Sequence, residues 1–325
     1  TPSLKRRDGR LATISSKFHT PFIQHVPAHD RALTATRPTA KLAAMEEEMH
    51  DYHYKRSYRG PLQAAIFDWA GTTVDHGCIA PALVFVEVFR RHGIEIDIIQ
   101  VRGPMGMHKR DHIRVLLENP AVSRAWQHKH GQLPDEAAVE QLYADFIPLQ
   151  VESIGRFADP IPGVVESVAA LRQRGIKIGS NTGYNREMMD VLVPAAAAAG
   201  YQPDEVVCSN DVPVGRPAPW GALENARRLN AYPTSANLKV DDTPAGIEEG
   251  LNAGMWTVAV TETGNEVGLS LEDLQALDPE ERRNRREAAA RKLARSGAHY
   301  VINSVADLLP CVDDIERRMA DGESP

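Results

Sequence analysis

Ala64-Ala65-Ile66-Phe67-Asp68-Trp69-Ala70-Gly71-Thr72-Thr73-Val74-Asp75 is the stretch from which the architecture of this 325-residue chain follows. Its apolar half reads as a buried strand, and the strand empties into a turn that opens on a carboxylate. In a doubly wound α/β fold, ligands gather at the carboxyl ends of strands. An Asp placed there, followed by a Gly and hydroxyl residues, suggests an acidic nucleophile beside backbone amides that can hold a phosphoryl group. A plain strand-end cap is the competing reading of Asp68.

The neighbouring segments favour that fold. After the strand near 62–68 comes a long segment, 79–160, with helical patterns at Pro81 to Phe89, Asp111 to Leu117 and Ala137 to Ser153, and no clear strand. Gly and Pro punctuate it as helix starts and stops should. From there, strands at 176–181, 205–208, 237–242, 256–260 and 300–302 alternate with helices at 164–174, 187–199, 220–229 and 245–253, and with a charged helical stretch at 270–296. This alternation predicts a doubly wound, Rossmann-like parallel sheet with helices on both faces, carrying an inserted helical cap domain. The expected division is a core over 61–78 and 161–310, a cap over 79–160, and a C-terminal helix and tail over 311–325.

Composition is that of an ordinary globular protein, 42% hydrophobic and 25% charged. The net charge of −7 argues against general nucleic-acid binding. Three scattered cysteines, Cys78, Cys208 and Cys311, suit a reducing cytoplasm better than a disulfide framework or a zinc site. No run approaches the roughly 18 apolar residues of a membrane span. Residues 1–60 differ in texture: basic, rich in Thr and Pro, without apolar periodicity. They read as a disordered basic extension, with an organelle transit peptide and an over-called start ahead of Met45 or Met49 as alternatives.

Successive strand ends carry groups suited to phosphate chemistry. Strand one ends on Asp68, and the second on Ser180-Asn181-Thr182-Gly183. The third leads into Gly215-Arg216-Pro217, and the fourth ends on Asp241-Asp242-Thr243, an acid pair suited to a hard cation such as Mg²⁺. Each is weak alone, since Thr182, Arg216 and the two acids have plain turn, surface and capping readings.

In this order the motifs resemble the haloacid dehalogenase superfamily of phosphotransferases, which places a cap domain where the helical insertion lies. Most of its phosphatases carry a second Asp two residues after the nucleophile, as general acid for the leaving oxygen. Here that position is Ala70. Either the site is inactive, or its leaving group needs no proton from there. The cap offers the second explanation. Helical spacing from Met105 puts Met105, Lys109 and His112 near one face. A lysine on a partly apolar face can have its pKa lowered enough to attack an aldehyde, although most lysines are solvated.

Asp68 to Asp75, Pro104-Met105-Gly106 with Lys109, Gly215 to Trp220 and Val240-Asp241-Asp242-Thr243-Pro244 together resemble the phosphonoacetaldehyde hydrolase (phosphonatase) family, from about Leu62 to Arg318. That resemblance implies cleavage of the C–P bond of phosphonoacetaldehyde, in 2-aminoethylphosphonate degradation. Lys109 would form an imine and Asp68 an aspartyl phosphate. It implies Mg²⁺ on Asp68, the Ala70 backbone carbonyl and Asp242, and phosphoryl oxygens held by Thr182 and Arg216. It also implies an aldehyde pocket of Met105, Gly106, His112, Cys78 and Tyr184, and a homodimer through the cap. Asp241 would stand behind the metal. The superfamily often has another acid four residues past the metal Asp, where this chain has Gly246. A phosphomonoesterase or phosphomutase, and an inactive phosphometabolite-binding relative, are the rival readings. No nucleic-acid or membrane partner is expected.

Overall fold

The computed structural model describes residues 57–325. The expectations for 1–56 lie outside the described residues. Six parallel strands form one sheet: β1 (Ala64–Phe67), β2 (Lys177–Asn181), β3 (Glu205–Val207), β4 (Asn237–Asp241), β5 (Trp256–Val260) and β6 (Tyr300–Ile302), in the order β3-β2-β1-β4-β5-β6. Parallel strands covered by helices on both faces are buried throughout, and β1, β4 and β5 carry no exposed residue. The chain winds outward from β1 through β2 to β3, then crosses back to lay β4 on the other side of β1. The order therefore reverses beside β1, and Phe67 lies opposite Ser180 on one side and Val240 on the other. Ligand crevices open at such a reversal, and Asp68 stands at its mouth.

Between β1 and β2 the chain forms the cap: α1 (Ile79–Arg91), α2 (Ile98–Arg102), α3 (Lys109–Glu118), α4 (Pro120–His130) and α5 (Glu136–Ile154). α5 packs on α1 and α3, with Phe85 and Phe146 4.5 Å apart at the centre. Two of these helices carried no clear sequence signal. α2 has only five residues and is set by Asp97, whose side chain caps Ile99 while Gln100 returns to the Asp97 amide. α4 starts from the Asn119 cap with Pro120 in its first turn, and it buries only Val122 and Trp126.

Core helices are α6 (Val164–Gln173), α7 (Arg186–Ala198), α8 (Trp220–Arg228), α9 (Pro244–Asn252), α10 (Leu271–Ala276), α11 (Pro279–Arg295) and α12 (Leu308–Ala320). The charged stretch expected as one helix is two, because Asp278 caps a new helix with Pro279 in its first turn. α12 begins before the boundary expected at 310/311. Its face of Leu308, Val312, Ile315 and Met319 is buried in the main hydrophobic cluster, so that boundary cuts through an element of the core. Among the described residues, no helix is long and apolar enough to cross a membrane.

The two crossings between core and cap lie side by side. Val74 bridges to Pro160, and the Ile161 amide donates to the Thr73 carbonyl at 2.9 Å. In the first crossing Asp75 and Cys78 both take positive φ, 53°, which costs energy for a residue with a side chain. Part of that cost is offset by Asp75, whose carboxylate accepts the free amides of Ile79 and Ala80 at the start of α1. Burial nevertheless pushes the Asp75 carboxyl up to about 7, against the lowering pull of those amides. A folded value above the unfolded one of about 3.9 means that stability is full at low pH and is lost as pH rises through 7. Asp75→Asn keeps an oxygen for the amides without the charge. Its melting temperature should match the wild type near pH 4 and exceed it at pH 8; a lower value at pH 8 would contradict this account.

Candidate active site

Asp68 leaves β1 but keeps its amide bonded to the Val240 carbonyl at 3.0 Å, so the sheet fixes its backbone. The turn that follows folds back on itself: the amides of Thr72, Thr73 and Val74 all reach the Trp69 carbonyl. Trp69 is pinned by its indole N–H to Ser180 Oγ at 2.9 Å and by an edge contact with Tyr201. Gly71 needs its freedom here. Its φ is +85°, and a Cβ would lie 2.3 Å from Asp242 Oδ2. The turn is thus shaped to let the carboxylate of the fourth strand come close.

Asp68, Asp241 and Asp242 have carboxylate oxygens within 4.8 Å of one another, all buried. Their environments differ. Asp242 accepts from Thr72 Oγ1 at 3.1 Å and from the Asn265 amide at 2.7 Å, and among the described residues it makes no ion-pair contact. Burial, then Asp68 and Asp241, hold its carboxyl well above the usual range. Burial also raises Asp68, to about 6, although Arg216 pulls the other way. Burial acts in the same sense on Asp241, but Arg216 and Lys239 outweigh it and keep the group ionised.

Arg216 ties these acids together. Its Nη1 donates to Asp68 Oδ1 at 2.7 Å and lies 3.2 Å from Asp241 Oδ2, its Nε donates to Glu249 at 3.0 Å, and its Nη2 donates to Asn181. Lys239, fully buried in β4, ion-pairs with Asp241 at 2.9 Å and donates to Asn181 Oδ1 at 2.7 Å. Sequence reading missed Lys239 and Glu249. A lysine inside the apolar strand Leu238-Lys239-Val240 was the available signal, because buried lysines are paired.

Four buried carboxylates, Asp68, Asp241, Asp242 and Glu249, therefore stand together, and Arg216 and Lys239 pair with all of them but Asp242. A donor set of hard oxygens with an excess of negative charge suits a divalent ion such as Mg²⁺. Asp241 has a further geometric role. A Cβ on Gly246 would fall 2.0 Å from the Asp241 carboxyl group, so this carboxylate fills the volume that a side chain at 246 would need.

A narrow chamber of about 20 Å³ opens beside Asp68 and Ala70. Thr182, Tyr184 and Arg216 line it from the core, Cys78 from the crossing, and Met105, Gly106 and Lys109 from the cap. Backbone approaches close it: a Cβ on Gly106 would meet Thr243 Oγ1 at 2.3 Å, and one on Gly183 would meet the Met107 carbonyl at 2.4 Å.

Lys109 is the first residue of α3 and is only 5% exposed. Its Nζ has soft company: Met105 Sδ at 3.9 Å, the Tyr184 ring at 4.9 Å and the Phe85 ring at 5.7 Å. Burial lowers its pKa from the ordinary value, and the positive end of the helix dipole works in the same direction. Burial pushes the Cys78 thiol well above its ordinary value, which leaves it protonated and unsuited to attack.

Two expectations need correction. Met105 precedes α3 in a turn, so helical spacing does not set it beside Lys109; the turn does. His112 does not line the chamber. It is fully buried one layer behind, its ring 3.9 Å from Phe85 and its Nε2 2.8 Å from the Val101 carbonyl. A carbonyl can only accept, so Nε2 carries the proton and Nδ1, which has no partner, holds a lone pair. Burial keeps this ring neutral.

The haloacid dehalogenase-like hydrolase family model matches residues 62–254. A protein named phosphonoacetaldehyde hydrolase from Hahella chejuensis is 53% identical over 274 residues, 84% of this chain and 93% of its own. One of the same name from Paraburkholderia phytofirmans is 48% identical over 81% of this chain and 99% of its own. The crystal structure of a phosphonoacetaldehyde hydrolase-like protein from Oleispira antarctica superposes with a TM-score of 0.83 at 44% identity, covering 85% of this chain and all of that one. A β-phosphoglucomutase from Clostridium difficile, 17% identical over 79% of this chain and 98% of its own, shares the fold with a TM-score of 0.56.

Proposed function

The chain belongs to the phosphonoacetaldehyde hydrolases, within the haloacid dehalogenase-like hydrolases, and from that membership we propose that it hydrolyses the C–P bond of phosphonoacetaldehyde to acetaldehyde and phosphate. The observation that carries the reading is the pairing of Ala70 with Lys109: a small residue where an acid would serve an oxygen leaving group, and a buried amine without a carboxylate partner among the described residues, lining one chamber.

Lys109 adds to the aldehyde carbon, water leaves, and the resulting imine is protonated. Asp68 attacks phosphorus in line. The C–P bonding electrons move toward the imine nitrogen, giving an enamine, while phosphorus becomes an acyl phosphate on Asp68. The enamine takes a proton on carbon. One water then releases acetaldehyde from Lys109, and another releases phosphate from Asp68; the water lost in forming the imine leaves a net consumption of one. No proton needs to reach a leaving oxygen, so Ala70 accords with the chemistry.

Thr182 and Arg216 would hold the phosphonate oxygens. Arg216 is pre-positioned by Glu249 and Asn181. Asp68, Asp242 and the Ala70 carbonyl would hold Mg²⁺, which supplies positive charge between the attacking carboxylate and the phosphonate. Met105, Gly106, Cys78 and Tyr184 would shape the aldehyde pocket. His112, three residues on from Lys109, would support that pocket from one layer behind, through its packing on Phe85. Asp241 would support the metal from behind. A homodimer through the cap belongs to the same reading, with exposed Leu83 in a groove between α1 and α5 as its surface; the mass in solution tests it. A cytoplasmic setting suits the three free, buried thiols.

The experiment is turnover of phosphonoacetaldehyde with acetaldehyde detected, in Mg²⁺ and after its removal. Acetaldehyde and phosphate should appear in equal amounts only with the ion. Hydrolysis of sugar phosphates without action on phosphonoacetaldehyde would favour a phosphomonoesterase, and no turnover at all would favour a binding protein.

A further inference from the structure

The chamber has room for little more than one water, at the roughly 10–15 Å³ that each requires. Phosphonoacetaldehyde does not fit that volume, so the cap must shift against the core to admit it, and whatever holds the two together bears on that step. Arg102, the last residue of α2, reaches from the cap into the core. Its Nη1 donates to the Gly77 carbonyl at 2.9 Å and to Asn265 Oδ1 at 3.1 Å, and its Nη2 donates to the Gly268 carbonyl at 2.9 Å. Asn265 Nδ2 returns a bond to the Arg102 carbonyl at 3.0 Å. Gly77 lies in the first crossing, while Asn265 and Gly268 lie in the loop after β5. Gly268 makes room for the guanidinium: at its φ of +68°, a Cβ would sit 2.6 Å from Arg102 Cζ.

Asn265 faces two ways. Its side chain grips Arg102, and its amide donates to Asp242 Oδ2 at 2.7 Å. It is 2% exposed, so it has little freedom to keep one contact while abandoning the other. Gly264 next to it packs so tightly on Asp242 that a Cβ there would lie 2.5 Å from Asp242 Cβ. A continuous line of direct contacts therefore runs from the cap through one residue to the acid that the proposed function assigns to the metal.

We propose that Arg102 is a positioning residue: by clasping Asn265 it couples closure of the cap to the orientation of the Asp242 carboxylate. The coupling is reciprocal, so a bound cation favours the closed cap and an open cap weakens the cation. This rests on reading Asp242 as a cation ligand. A guanidinium is suited to the task because its planar fork presents its donors in fixed directions and reaches the Gly77, Asn265 and Gly268 acceptors together.

The test uses Mn²⁺ binding followed by electron paramagnetic resonance, on the full chain without substrate. Arg102→Met keeps the apolar stem and removes the donors. It should weaken Mn²⁺ binding about tenfold, within the ordinary range of coupling between sites. Asn265→Ala keeps the amide that holds Asp242 but drops both side-chain bonds to Arg102, and it should do the same. Because the two residues act as one contact, the double variant should bind no more weakly than either single one. Should Arg102→Met not fold, Arg102→Lys carries the same expectation. Unchanged Mn²⁺ affinity in a folded Arg102 variant, or losses that multiply in the double variant, would overturn the coupling. Either outcome would leave the reaction to be judged on the turnover assay, because no substrate enters this measurement.

Discussion

Lys109→Arg is expected to lower turnover of phosphonoacetaldehyde by about 10⁴-fold or more, the scale seen when a covalent catalyst is removed. Arginine keeps a positive charge at the position, so the experiment separates charge from nucleophilicity. A guanidinium does not titrate below about pH 12 and forms no imine with an aldehyde. Without the imine, the electrons of the C–P bond have no sink, and the leaving group would be an unstabilised carbanion. The setting of Lys109 already favours the neutral amine, through burial among Met105, Phe85 and Tyr184 and through its place at the start of α3. Borohydride added with substrate should fix a two-carbon adduct on the wild-type chain, located at Lys109 by mass spectrometry, and none on the variant. Normal turnover by Lys109→Ala would sink the imine mechanism. Lys109→Met should be inactive and yet melt higher, because it removes a buried amine that, among the described residues, has no ion-pair contact.

Asp68→Asn is the second large effect: turnover should fall by about 10⁴-fold or more, since an amide cannot form the acyl phosphate. Stability should move the other way when no cation is present. Burial raises the Asp68 carboxyl above its unfolded value, so its stabilising contribution is full at low pH and is lost as pH rises through the folded value. The asparagine variant lacks that loss, and Arg216 keeps Asp241 and Glu249 as partners. In a chelator at pH 8 the variant should melt above the wild type, and Mg²⁺ should raise the wild type more than the variant. If Mg²⁺ raises both equally, Asp68 is not among its ligands.

Much of this arrangement was legible because it is local. The alternation of strands and helices marked the sheet, and the residues just past strand ends named Asp68, Thr182, Arg216 and Asp242. Parallel winding then brings adjacent strand ends to one edge without further instruction. The partners that orient these groups were not legible. Lys239 and Glu249 matter only after β4 and α9 have packed, and Arg102 meets Asn265 across 163 positions of chain. α4 was missed because its apolar contribution is two side chains. His112 was placed one layer too near the substrate because spacing gives the face of a helix, not the depth of what that face meets.

The contact between Asp241 and Gly246 has a consequence for how such chains change over time. The two positions share one volume, so neither can be altered freely while the other stays. A side chain added at 246 collides with the carboxylate, and removing the carboxylate takes from Lys239 its nearest counter-charge, at 2.9 Å, and leaves it only Glu249, at 3.6 Å. A passage between an acid on the strand and an acid on the helix must cross a defective intermediate or change both positions together. A column-by-column comparison would score Gly246 as the loss of a functional group, whereas the volume beside that glycine still holds a carboxylate, delivered from the neighbouring strand.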